Sequence, residues 1–147
     1  GPATSAASRA GKTVMAQVGV AAPDEAMAEV ALSFLSLLDV GRIDDAVARV
    51  AAGNGEHRAE RPEAWSATNS RIRADYARRQ QRGALSNRRV MLTNRAAQGR
   101  MTITFGAIGE RSPIPPRYGP NAMASSESVS LQLLDGSISV LDYRFGF

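Results

Sequence analysis

The sequence predicts an α+β domain in which three N-terminal helices pack on a four-stranded antiparallel sheet. Three observations lead there. Apolar residues recur at helical spacing before Gly83 and at a period of two after it. The helical segments come first and the strands follow, a segregation that places helices on one face of an antiparallel sheet. Asp135-Gly136 separates the last two strands, and both residue types accept the positive φ of a two-residue hairpin turn. A chain of 147 residues suits one core, so residues 1–23 are read as tag scar and flexible segment and 24–147 as a single domain.

Gly1-Pro2 has the form of a scar left by a cleaved tag. Residues 3–22 are rich in Ala, Ser and Gly without a sustained helical period, which suits a flexible lead-in. Thr13 to Val20 could instead add an edge strand to the domain or to a partner. Gly11-Lys12-Thr13 does not complete a phosphate-binding loop, because Ala6 stands where its first glycine is required.

The first helix opens on Pro23-Asp24-Glu25, acids that favour the positive end of a helix. Met27, Val30, Ala31, Phe34, Leu35 and Leu38 then form one apolar stripe, and Gly41 supplies the stop. A short second helix runs from Ile43 to Ala52 with Ala46, Val47 and Val50 inward, ended by Gly53-Asn54-Gly55. The third begins at Pro62-Glu63, proline being at ease in a first turn, and continues to about Arg82. Trp65, Ile72 and Tyr76 share one of its faces, and Arg71, Asp75, Arg78 and Arg82 another. Four strands follow at Arg89–Thr93, Met101–Phe105, Ser128–Leu134 and Ser137–Phe145. Between the second and third lies a long segment with Pro113, Pro115, Pro116 and Pro120, in which Ile114, Tyr118 and Met123 offer apolar contact to a partner.

Composition excludes more than it assigns. The chain has no cysteine and one histidine, His57, which rules out disulfides, thiolate chemistry and a multi-histidine metal site within one chain. No metal and no cofactor is expected. The formal charge is +4, with thirteen arginines against six acids between Arg42 and Arg100. Arg82, Arg88 and Arg89 are the best anion-contact candidates, guanidinium forks being suited to phosphate or carboxylate. Nucleic acid ranks low, because aromatics are only 5% and no recognition motif is present.

No nucleophile elbow or serine triad can be assembled. A buried acid beside a tyrosine donor would suit isomerase chemistry, and Asp75 with Tyr76 or Asp142 with Tyr143 are the pairs available. Neighbours on a strand face opposite sides, so Asp142 and Tyr143 cannot share a cavity. Asp75 stands among arginines, which favours ionisation rather than a poised base. No catalytic residue is assigned, and an enzyme is the less favoured reading. Trp65, Tyr76, Phe105 and Tyr143 are the candidates for ligand contact if the helices and sheet enclose a pocket, each bringing a flat apolar body.

Phe34-Leu35-Ser36-Leu37-Leu38-Asp39-Val40-Gly41, followed by Arg42-Ile43-Asp44-Asp45-Ala46, resembles the opening helix of a bacterial family of small exported proteins carrying a domain of unknown function. Arg82-Gly83-Ala84-Leu85-Ser86 with Arg88-Arg89 is similar to a changed form of that family's junction between third helix and first strand. Val129 to Tyr143 is similar to its terminal hairpin. The resemblance implies a curved, cone-shaped sheet of the nuclear-transport-factor-two-like (cystatin-like) kind and export to the periplasm. It carries over no catalytic residue. The function expected is a noncatalytic binding or assembly module of the cell envelope, with an envelope protein or a second copy as partner. The alternatives are a small-molecule-binding or isomerase-like use of the cone, and anion or nucleic-acid binding through the arginine face.

Overall fold

The structure, a computed structural model, describes residues 23–111 and 124–146. Helices α1 (Pro23–Asp39), α2 (Ile43–Gly53), α3 (Gly55–Glu60) and α4 (Pro62–Gln80) precede strands β1 (Leu85–Arg95), β2 (Arg100–Gly109), β3 (Ala124–Leu134) and β4 (Ser137–Phe145). The strands pair in the order β1-β2-β3-β4, each pair antiparallel, and the sheet is curved rather than closed. The α+β arrangement is the one expected. The readings placed on Thr13–Val20 and on Ile114, Tyr118 and Met123 lie outside the described residues.

In α1 the stripe Met27, Ala31, Phe34, Leu35 and Leu38 is buried, with Val30 only partly so. Gly41 ends the helix with a φ of 82°, which lets Arg42 N–H reach the Leu37 carbonyl at 2.7 Å and Gly41 N–H reach Leu38 at 3.1 Å. That pair of bonds satisfies carbonyls a helix end otherwise leaves bare. Opposite the helices, Met101, Ile103 and Phe105 alternate with Thr102 and Thr104, and Val129 and Leu131 alternate with Ser128 and Ser130. The inward set joins the helical stripe in one core. On the other face the hydroxyls pair across strands, Thr102 with Ser130 and Thr104 with Ser128, each at 2.9 Å.

One element departs from expectation. Gly53-Asn54-Gly55 is expected as a helix stop, yet Gly55–Glu60 forms a short helix. Arg58 N–H binds the Asn54 carbonyl at 2.9 Å, so the backbone continues in a helical sense instead of turning away. Asn54 directs its amide to Val50 O and Leu141 O, at 2.8 and 3.0 Å, and ties this junction to β4. Gly53 serves close approach, because a Cβ there would lie 2.0 Å from the Val140 carbonyl oxygen.

The β3–β4 turn holds Asp135 at φ 53° and Gly136 at φ 78°, the conformation that matches strand twist. Nothing lies within 4 Å of a Cβ added at Gly136, so the penalty for a side chain there comes from the backbone alone. Gly136→Ala is expected to lower stability by about 1 kcal/mol. The reading is the urea midpoint at unchanged slope. An unshifted midpoint would show that the turn adopts another form without penalty.

The register of β4 slips after Ser130 and leaves Leu141 unpaired between Asp142 and Val140. The bulge places Val140 and Tyr143 on the same buried side although they are three residues apart. Asp142 faces away from Tyr143, as strand alternation requires, and binds Arg71 of α4.

The two sheet edges are treated differently. Along β4 the helices supply polar partners to the outward backbone. Asn54 binds Leu141 O, Arg71 binds Tyr143 O at 2.9 Å, Arg78 binds Phe145 O at 2.5 Å, and Asp75 accepts Phe145 N–H at 3.2 Å. Along β1, α1 is anchored by ion pairs at its two ends, Asp24 to Arg95 and Asp39 to Arg88. Between these anchors Val90, Met91 and Leu92 are 52, 60 and 53% exposed.

Candidate functional site

The densest polar arrangement lies inside the fold, where five elements meet. Asp39 ends α1. Arg79 sits in the last turn of α4, seven residues after buried Ile72 and therefore on the same inward face. Asn87, at φ 54°, marks a break in β1 register between Ser86 and Arg89, and Arg88 at that break reaches inward. Glu127 continues the inward set of Val129 and Leu131 on β3. Tyr143 of β4 faces it.

Glu127 is 1% exposed and is the centre. Its Oε2 accepts Arg79 Nε at 2.6 Å and the Tyr143 hydroxyl at 2.7 Å, and its Oε1 accepts Arg88 Nη2 at 2.9 Å. Asp39 accepts Arg88 through both oxygens, at 2.9 and 3.0 Å, and also holds Arg79. Two guanidinium groups and two carboxylates therefore share one site with balanced charge, which is what allows ions to persist out of water. Among the described residues, Arg88 Nε is a buried side-chain nitrogen without a hydrogen-bond partner.

The electrostatics follow from this geometry. Burial pushes the Asp39 carboxyl up, but bonds and charge from Arg88 and Arg79 outweigh it and hold the group below its ordinary range. Burial pulls Arg79 down, and charge and bonds from Glu127 with the bond to Asp39 together more than reverse this, so the guanidinium is more firmly protonated than usual. Burial, then the Glu127 charge, pushes Tyr143 far up, which keeps its hydroxyl as a donor. These are directions that lock protons in place, and they do not bring a group toward neutral titration.

The expected site residues separate in space. Phe105 and Tyr143 are 1% and 0% exposed and belong to the core, with Phe34 5.7 Å from Tyr143 between ring centroids. Trp65 and Tyr76 are partly buried and pack against that core. Arg82, Arg88 and Arg89 do not form one anion face. Arg88 is taken up by Asp39 and Glu127. Arg82 binds the Ser125 hydroxyl at 3.0 Å and lies over the Phe145 ring, while Arg89 is exposed on β1. Asp75 is committed to Arg71, Arg78 and Phe145 N–H. His57 is exposed on α3.

Sequence reasoning missed Arg79 and Glu127. The signals were present: Arg79 follows Ile72 by seven residues, and Glu127-x-Val129-x-Leu131 keeps the inward period of two.

Among the described residues no group of three or more His, Cys, Asp or Glu could hold a metal ion, and no helix is long and apolar enough to cross a membrane. The second feature a partner could use is the β1 edge with its exposed Val90-Met91-Leu92 run. No family model, curated protein or solved structure matches this chain.

Proposed function

We propose that the domain is a noncatalytic binding or assembly module of the bacterial cell envelope that receives a protein partner along β1. The observation that carries this is the contrast between the edges: β4 is covered by Asn54, Arg71, Asp75 and Arg78, while β1 presents Val90, Met91 and Leu92 to solvent. An unpaired strand edge is a template for adding another strand, and apolar side chains along it supply affinity and register. The ionic cluster supports the noncatalytic part, because its carboxylates are already held by arginines and a tyrosine, and Asp39 is held below its ordinary range. The envelope setting rests on the family resemblance.

A photoreactive amino acid placed at Met91, compared with one at Ser128 on the outer sheet face, tests this. Adducts with a polypeptide are expected at Met91 and not at Ser128. Equal labelling at both positions, or none at Met91, would defeat the reading.

A further inference from the structure

We infer that the β1 edge is held at rest by the chain's own segment Thr13–Val20, which adds a strand parallel to β1 and gives way when a partner strand docks. The inference rests on the reading of β1 as a docking edge and adds the regulation of that edge.

An uncovered seam lies between β1 and α1. The bulge at Met91 turns Val90 to the core side, opposite Phe105, and Leu92 to the outer side, opposite Thr104. Phe105 is buried, yet Val90 beside it is exposed. On α1, helical spacing sets Ala28 and Leu32 on the side that carries Asp24 and Asp39. Ala28 is only partly buried there, and Leu32 is exposed. The ion pairs Asp24–Arg95 and Asp39–Arg88 close the two ends. Among the described residues, apolar side chains of both elements thus stay accessible along one line.

The same ion pairs set direction and length. They put the start of α1 beside the end of β1, so the two elements run in opposite senses. The helix rises roughly 22 Å from Asp24 to Asp39, and the strand roughly 23 Å from Arg88 to Arg95. The chain therefore enters α1 at the Arg95 end of the edge. Only Ala21 and Ala22 separate Val20 from Pro23. That tether places Val20 near Asn94 and sends Thr13 back toward Arg89. An antiparallel strand would put Val20 at the Arg88 end, and three residue steps reach at most about 11 Å. The parallel sense remains, with α1 to α4 as the long crossover that it requires. Eight extended residues cover roughly 26 Å, the length of the edge.

The side chains suit both faces. Strand alternation sets Val14, Ala16, Val18 and Val20 together, a small apolar set for the seam beneath α1. Thr13, Met15, Gln17 and Gly19 then fall on the outer side, with Leu92 and Asn94. No residue from Thr13 to Val20 is charged, so none opposes Arg88, Arg89 or Arg95. A two-residue tether also gives the segment an effective concentration on the order of millimolar. A partner strand at lower concentration therefore binds by exchange with it.

Hydrogen exchange of the full chain tests the arrangement. Val14→Asp combined with Val18→Asp sets two carboxylates into the seam while leaving the described core, which begins at Met27, intact. The β1 amides are expected to exchange at least about tenfold faster in this double variant, with the β4 amides unchanged. In the otherwise unaltered chain, a photoreactive residue at Asn94 is expected to join the Val18–Val20 end of the segment, and one at Arg89 the Thr13–Met15 end. Mixing isotope-labelled with unlabelled chains shows whether each adduct lies within one chain, as expected. Unchanged β1 exchange in the double variant overturns the inference, and so do adducts in the reverse order or between two chains. Failure here is separable from failure of the docking edge. Unchanged exchange with a photoreactive Met91 that still captures another polypeptide removes the segment and retains the edge, whereas no capture removes both. Faster exchange in a double variant whose photoreactive Met91 captures no other polypeptide supports the segment and removes the partner.

Discussion

Glu127→Ala is expected to destabilise the domain by about 3–5 kcal/mol, because it strands Arg79 and Arg88 in the interior with one carboxylate between them. The Tyr143 hydroxyl loses its acceptor in the same step. Glu127→Gln keeps the shape but sets an amide donor against guanidinium donors, so most of the loss is expected to remain. Replacing Glu127 by Leu and Arg79 by Met together is expected to recover part of it, since an apolar pair of similar volume does not carry the desolvation of either ion. Urea unfolding of the three variants measures this. A loss below about 1 kcal/mol in Glu127→Ala would mean that water already solvates the cluster.

The same cluster makes acid sensitivity predictable in sign. The Asp39 carboxyl is held below its ordinary 3.8 in the folded chain. Its contribution is therefore complete above that value and fades as pH falls through the lower, folded value. The urea midpoint is expected to drop as pH is taken from about 5 to about 2, and less steeply in Asp39→Asn.

Gly53→Ala is the second large effect, expected at about 3 kcal/mol. The added Cβ would sit 2.0 Å from the Val140 carbonyl oxygen and 2.9 Å from its carbon, and a backbone cannot yield as a flexible side chain can. Relief requires α2 to move off β4, which also pulls Asn54 from Leu141 O. Thermal unfolding with exchange protection of the β4 amides would register both. Full stability in Gly53→Ala would show that α2 can slide on the sheet without penalty. Gly55→Ala is the matched control, because nothing lies within 4 Å of a Cβ there.

The layers of this fold were legible because α1 and β2, which supply much of the core, each keep one period. Met27 to Leu38 repeats as a helix, Met101 to Phe105 alternates as a strand, and Asp135-Gly136 marks the hairpin where it occurs. The extra helix α3 was not, because Gly-Asn-Gly is a stop by composition while its first glycine is there for proximity to Val140. The arginines were the harder problem. A run of them reads as a solvated face, and for Arg89 that reading matches its exposure. Arg79 continues the inward face of Ile72, a pattern the charge of the residue masks, whereas Arg88 is drawn inward at a register break by Glu127 and Asp39, which no local pattern announces. The difference between the two sheet edges was equally hidden, since it depends on where α4 comes to rest.

The paired hydroxyls of Thr102 with Ser130 and Thr104 with Ser128 have a consequence for the architecture as a whole. Because these groups satisfy one another, the face they line wets readily and demands no lid. A further layer laid on it would have to outcompete bonds already made, and would gain little apolar burial in return. The domain can therefore remain two-tiered without a third layer on this side.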